Sequence, residues 1–201
     1  MITVYQLKTR FQNLLRPLVN RLADLGVTPN QVTIAAALLS AITGLLLVLF
    51  VDEPRIFLLL PAVLFIRMAL NAVDGMLARE HDMKTRRGMY LNELGDVISD
   101  AFMYLPLALI SGVWGWLVVL VVVFSIITEF TGVLSQAATG TRRYDGPMGK
   151  SDRALVFGML GLLLGLGIEA GNWLNLLFLL VGMLLFITIR NRMAGEENVS
   201  N

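Results

Sequence analysis

The sequence predicts an all-α polytopic membrane protein, with six transmembrane helices preceded by an amphipathic interfacial helix. Three observations carry this. Hydrophobic residues make up 56% of the 201 positions and charged residues only 15%, well below the roughly 25% charged of an average soluble domain. The apolar residues gather into six runs, each near the ~20 residues that cross a bilayer. The basic residues fall mainly in alternate connections between those runs, as they do in a chain that crosses a membrane repeatedly.

Residues 1–28 form the first element. Leu7, Phe11, Leu14, Leu15, Leu18 and Leu22 recur at helical spacing, with Lys8, Arg10, Arg16 and Arg21 around them. That pattern suits a helix lying on the inner membrane surface, drawn to anionic lipid. Pro17 should kink or divide it. No cleavable signal peptide is expected, because the basic stretch lacks a short apolar core followed by a small-residue cleavage site. Thr28 and Pro29 then suit the N-cap and first position of a helix.

The spans run about 32–51, 56–78, 89–112, 113–137, 154–168 and 172–189. The second carries Arg67, Asn71 and Asp74, the third Asn92, Asp96 and Asp100, and the fourth Glu129. The fifth is short and holds Gly158, Gly161, Gly165 and Gly167, which favours close helix packing over a lone lipid-facing span. Residues 29–193 therefore read as one six-helix domain and 194–201 as a tail. Basic residues crowd the N-terminus, the loop 79–87, the loop 142–153, and Arg190 with Arg192. The other connections hold Asp52, Glu53 and Arg55, then no charge, then Glu169. Both termini are expected in the cytoplasm, at the inner membrane. Without cysteine, neither disulfides nor thiolate metal sites are available.

Chemistry concentrates between residues 71 and 100. Arg67, Asn71, Asp74 and Ala78 are spaced four, three and four apart and share one helix face; Asn92, Asp96 and Asp100 share a face of the next. The two helices should run antiparallel across a short basic loop, so the faces can meet. Oxygen ligands on two facing helices suit a hard divalent cation, and Mg²⁺ completes its shell with water and substrate phosphates. Gly75, Ala78 and Gly88 leave room for a ligand to approach the backbone. Arg79 is placed to pair with a carboxylate or a phosphate.

The segment reads N-x2-D-G-x2-A-R-x8-G-x3-N-x3-D from Asn71 to Asp96. It resembles the signature D-x2-D-G-x2-A-R-x8-G-x3-D-x3-D of the CDP-alcohol phosphotransferases, also called CDP-alcohol phosphatidyltransferases. Every spacing matches, and the departures are Asn71 and Asn92. Six spans, an N-terminal surface helix and the Thr28-Pro29-Asn30 start of the first span look like that family too. The resemblance implies transfer of a substituted phosphate from CDP-diacylglycerol to a small alcohol, releasing CMP, with Mg²⁺ or Mn²⁺ as cofactor. It implies Asp74, Asp96, Asn71 and Asn92 as metal ligands and Asp96 as general base. Asn71, Asp74, Gly75, Ala78, Arg79 and Gly88 would bind CDP. Family members are often dimers, so a homodimer in the bilayer is expected, with no nucleic-acid partner. The two asparagines leave three readings open: an enzyme with a modified or single metal site, an enzyme with a different donor, or a degenerate binder. A transporter is a further reading, since charges within spans also mark ion paths.

Outside the signature, Arg67 and Asp100 lie one turn deeper and should pair with each other or with Glu129, because an unpaired charge at that depth is costly. Asp100, Arg67 and Glu129 are also auxiliary candidates for the site, through positioning of the acceptor. The loop RRYDGPMGKSDR supplies Arg142, Arg143, Lys150 and Arg153. Its basic residues fit membrane topology, and equally the capture of an anionic acceptor such as glycerol 3-phosphate, to which the resemblance points. Ser151 and Asp152 should lie near a helix N-cap. His81 reads as a solvated loop residue, and Trp114, Trp116 and Trp173 as interfacial anchors.

Overall fold

The computed structural model describes residues 4–194, with side chains from residue 9. These residues form seven α-helices and two 3₁₀ turns, with no strand among them: α1 (Val4–Asp24), α2 (Pro29–Leu49), α3 (Leu59–Glu80), α4 (Arg86–Tyr104), α5 (Gly115–Thr139), α6 (Lys150–Gly165) and α7 (Asn172–Ala194). The 3₁₀ turns, Pro54–Leu58 and Leu105–Leu109, precede α3 and follow α4. The side chains of Leu7 and Lys8, and the tail beyond Ala194, lie outside the described residues.

Helix α2 begins where the sequence predicts. Thr28 accepts from the Gln31 N–H, and the Gln31 side chain accepts from the Thr28 N–H, closing a capping box around Pro29. Pro17, expected to kink or divide the N-terminal helix, does not divide it: α1 runs unbroken from Val4 to Asp24. Packing holds it there. Val19, with Leu15 and Leu22, meets Val32, Val73, Met76 and Leu77, and Arg16 grips Glu80 through two 3.0 Å bonds. Leu14 and Leu18, on the same predicted apolar face, stay exposed.

Helices α3 and α4 each pack along α2, while α5 packs on α7 and α6 on α3. Gly44 allows the α2–α4 approach, since a Cβ there would fall on the backbone carbonyl of Phe102. The glycines of α6 do what their spacing predicts. A Cβ at Gly161 would lie 2.6 Å from Leu60 Cβ, and one at Gly165 would meet Leu58 at 2.5 Å. This glycine face is therefore spent within the chain. The main core joins α5, α6 and α7 around Tyr104, which stacks on Phe157 with centroids 3.8 Å apart.

Four stretches are long and apolar enough to cross a membrane: Pro29–Leu49, Pro54–Glu80, Gly115–Thr139 and Asn172–Ala194. The predicted third and fifth spans are helices but fall outside that measure. Helix α4 carries Arg86, Arg87, Glu93, Asp96 and Asp100 in its 19 residues. Helix α6 has only 16 residues, about 24 Å at 1.5 Å per residue, and opens on three charged residues. Gly140, at φ 77°, ends α5 in the left-handed conformation. The following loop is pinned to α7, where the Met148 N–H donates to Thr188 Oγ1 at 3.0 Å.

Candidate active site

A cavity of about 1000 Å³ opens at the end of the bundle where α3 finishes and α2, α4 and α6 begin. All eight signature positions, Asn71, Asp74, Gly75, Ala78, Arg79, Gly88, Asn92 and Asp96, line it. The facing of α3 and α4 read from helical spacing is thus present, though side chains rather than close helix packing join the two helices.

Asp74 is buried on α3, and its Oδ2 accepts the Thr33 hydroxyl at 2.8 Å. Thr33 itself reaches this position because α2 starts at Pro29, whose carbonyl lies 3.1 Å from the same hydroxyl. Asp96 is engaged on both oxygens. Its Oδ1 accepts from Asn71 Nδ2 at 3.3 Å and lies 3.8 Å from Arg67 Nη2. Its Oδ2 pairs with the Lys150 ammonium from the first turn of α6. With its amide nitrogen turned to Asp96, Asn71 keeps its carbonyl oxygen available.

The small residues serve neighbouring side chains. The Arg79 guanidinium folds over Gly75, where a Cβ would sit 3.1 Å from Nη1. The space at Gly88 is taken by Asn30, whose Oδ1 would lie 2.8 Å from a Cβ. Thr85 caps α4 by accepting from the Gly88 N–H at 2.9 Å.

Behind the cavity lies a chain of buried ion pairs. Arg67 Nη1 holds Asp100 Oδ1 at 2.9 Å, as expected. Arg153 holds Asp100 Oδ2 and Glu129 Oε1, each at 3.1 Å. Arg142 pairs with Glu129 Oε2 at 3.1 Å and with Glu93. Arg67, Asp100 and Arg153 therefore form the floor and do not line the cavity, whereas Glu129 does. Of the four basic residues expected at the acceptor end, only Arg142 and Lys150 reach the cavity. Arg143 turns away to Asp145 at 2.8 Å, a hydrogen bond that holds the Asp145 carboxyl below the usual range. Partial burial works against the Arg142 charge, but Glu93, ahead of Glu129, outweighs it and raises the pKa of that guanidinium. Ser151 and Asp152 also line the cavity, and Asp152 Oδ2 accepts from the Gly149 N–H at 2.9 Å, capping α6. His81 ends α3, with its Nε2 3.2 Å from Asn20 Oδ1.

Sequence reasoning missed Thr33, Glu93, Tyr144, Lys84, Arg86 and Arg192, of which all but Glu93 line the cavity. Thr33 gave one signal, a hydroxyl one turn inside an apolar span at the same end as Asp74. Arg192, on α7, sits 3.8 Å from Glu129, a contact that no local spacing encodes.

Comparison with known proteins gives the family and the fold. The sequence profile of the CDP-alcohol phosphatidyltransferase family matches residues 26–189. The inner membrane protein YnbA of Escherichia coli (strain K12) is 51% identical over 191 residues, 95% of this chain and 94% of that protein. The crystal structure of Mycobacterium tuberculosis phosphatidylinositol phosphate synthase (PgsA1) with CDP-DAG bound has the same fold. Its TM-score is 0.72 at 21% identity, covering 89% of this chain and 90% of that one. The same synthase in complex with manganese and citrate gives a TM-score of 0.74 at 21% identity, with 89% and 86% covered.

Proposed function

Because this chain belongs to the CDP-alcohol phosphatidyltransferase family and is a transferase, we propose that it moves a phosphatidyl group from CDP-diacylglycerol to a small alcohol, releasing CMP. One observation carries the reading: all eight signature positions converge on one cavity. Its volume of about 1000 Å³ is at the upper end for ligand pockets, room for a nucleotide head and a small acceptor together.

The reaction follows from the placement of the groups. The acceptor oxygen attacks the phosphorus next to diacylglycerol, the bond from that phosphorus to CMP breaks, and CMP leaves with the electron pair. Asp96 takes the acceptor proton. Its Oδ2 holds Lys150 and keeps a second lone pair toward which a hydroxyl can approach. Arg79, Lys84 and Arg86 line the donor side and suit the pyrophosphate. The lipid tails stay in the bilayer while the cytidine head lies in water.

The residues present fit one hard cation. Among the described residues no group of three or more carboxylates, histidines or cysteines converges. Asp74 and Asp96 with the amide oxygens of Asn71 and Asn92 remain, and Mg²⁺ sites commonly use one or two carboxylates completed by water and substrate phosphates. When bound, Mg²⁺ or Mn²⁺ would neutralise the pyrophosphate and the charge developing on departing CMP.

The reading places α4 and α6 across the membrane as well, giving six spans, with the Leu105–Leu109 turn lengthening the apolar part of α4. Both termini and the cavity face the cytoplasm, α1 lies at the inner surface with Leu14 and Leu18 toward lipid, and the protein works as a homodimer at the inner membrane. The test is CMP release from CDP-diacylglycerol by purified protein with Mg²⁺ or Mn²⁺ and a panel of alcohols. Acceptor-dependent release is expected. Donor binding without release from any acceptor would instead favour a CDP-lipid binder, the reading that Asn71 and Asn92 motivate.

A further inference from the structure

The cations around the cavity divide into two kinds. On the donor side Arg79, Lys84 and Arg86 form no ion pair among the described residues. Across the cavity every lining cation is already held by a carboxylate. Lys150 is on Asp96, and Arg142 is on Glu93 and Glu129. Arg192 is on Glu129 at 3.8 Å, and also donates to the carbonyls of Thr128 and Asp145.

Glu129 is the centre of this wall. Its Oε1 faces Arg153 at 3.1 Å and Arg192, and its Oε2 faces Arg142 at 3.1 Å. Arg153 and Arg192 are 1% and 2% exposed. A carboxylate ringed by three guanidinium groups has the geometry of a bound anion. Here that anion belongs to the chain. A free phosphate would compete with a tethered carboxylate whose effective concentration is high. It would also enter beside the negative charges of Glu129 and Asp152, which repel it. Tyr144 and Ser151, on the same wall, offer hydroxyl groups suited to polyol hydroxyls instead.

We propose that Glu129 is a specificity-determining residue: by filling the anion seat among Arg142, Arg153 and Arg192, it makes the acceptor an uncharged polyol and excludes one that carries a phosphate. The inference rests on the transferase reading and names the acceptor class for it.

The test uses full-length protein, wild type and Glu129→Gln, with two readouts. The first is binding of inorganic phosphate and of glycerol 3-phosphate, measured calorimetrically. Glu129→Gln should bind both at least tenfold more tightly than wild type. The second is CMP release from CDP-diacylglycerol with glycerol or inositol set against glycerol 3-phosphate. Wild type should use the uncharged alcohols, and Glu129→Gln should shift toward glycerol 3-phosphate. Equal phosphate binding by the two proteins, or wild-type release that needs glycerol 3-phosphate and ignores the uncharged alcohols, overturns the role of Glu129 while leaving the transferase reading intact. No release with any acceptor removes the transferase reading and the acceptor assignment together. Should Glu129→Gln fail to fold, competition between glycerol and glycerol 3-phosphate in the wild type decides alone.

Discussion

Asp100 and Arg153 should be coupled, and the coupling can be measured. Arg153 reaches Asp100 Oδ2 from Nη2 at 3.1 Å and Nε at 3.4 Å, and Thr128 Oγ1 from Nη1 at 3.2 Å. Asp100 Oδ1 holds Arg67 at 2.9 Å. Asp100→Asn therefore leaves two buried guanidinium groups around one neutral amide. Breaking a buried pair from one side costs about 3–5 kcal/mol. Arg67 keeps Asp96 at 3.8 Å and Arg153 keeps Glu129, so the low end, about 3 kcal/mol, is expected. At roughly 2–4 °C per kcal/mol for a chain of this size, Tm falls by about 6–12 °C. Arg153→Met should cost a similar amount. The double variant should cost about 4 kcal/mol rather than 6, because neighbours in one network couple by about 0.5–3 kcal/mol. Thermal unfolding followed by circular dichroism in a single detergent measures all three. Additivity within about 0.5 kcal/mol would refute the pairing. Mn²⁺ affinity of Asp100→Asn is the companion readout. Both Asp100 oxygens hold guanidinium groups, so affinity should stay unchanged, and a tenfold loss would make Asp100 a ligand after all.

Asp96→Asn should reduce turnover by about 10²–10⁴-fold, the usual contribution of a general base, while CDP-diacylglycerol binding persists; unchanged turnover in the CMP assay would remove Asp96 from that role. Asn71→Asp adds a charge beside Asp96 and should lower the Mg²⁺ concentration needed for half-maximal binding, whereas an unmoved titration places Asn71 outside the metal's reach. Tyr104→Phe removes a buried hydroxyl that has no hydrogen-bond partner among the described residues and keeps the ring stack on Phe157. It should raise stability by up to about 1 kcal/mol, and a lower Tm would show that the hydroxyl is satisfied in solution.

Much of this arrangement is legible in the chain because local periodicity encodes it. Thr28 and Pro29 announce α2 through capping chemistry that acts over three residues. Asn71 and Asp96 meet because a short loop reverses the chain and helical spacing then sets the facing sides. The illegible part concerns charges that meet across helices distant in sequence. Lys150 finds Asp96, and Arg142 finds Glu93 and Glu129, through the rotation and order of α4, α5 and α6. No single segment carries that information. Positive charge near a span end reads as a loop feature, yet Arg153 sits in the first turn of α6 and is fully buried. Pro17 misleads for a related reason: it sits in a helix whose packing on α3 outweighs its local cost.

The two sets of charges differ because their surroundings differ. Arg67, Asp100 and Arg153 lie beneath the cavity, where water is scarce, with Glu129 at its edge, and there an unmatched charge is far costlier than at a surface. Each is therefore matched within the chain, and the matches tie α3, α4, α5 and α6 into one floor. A floor so constrained limits the freedom of Asp96, one turn above Asp100, and of Asn71, one turn from Arg67. In the proposed function such restraint means that Asp96 and Asn71 need little rearrangement when charge develops on a reacting phosphate. Arg79, Lys84 and Arg86 face the open cavity, where water can solvate them; in the proposed function a pyrophosphate takes that water's place. Under the proposed function, the cations unpaired among the described residues are where an anion should arrive, and the matched ones, with Glu129 at their centre, are where it should not.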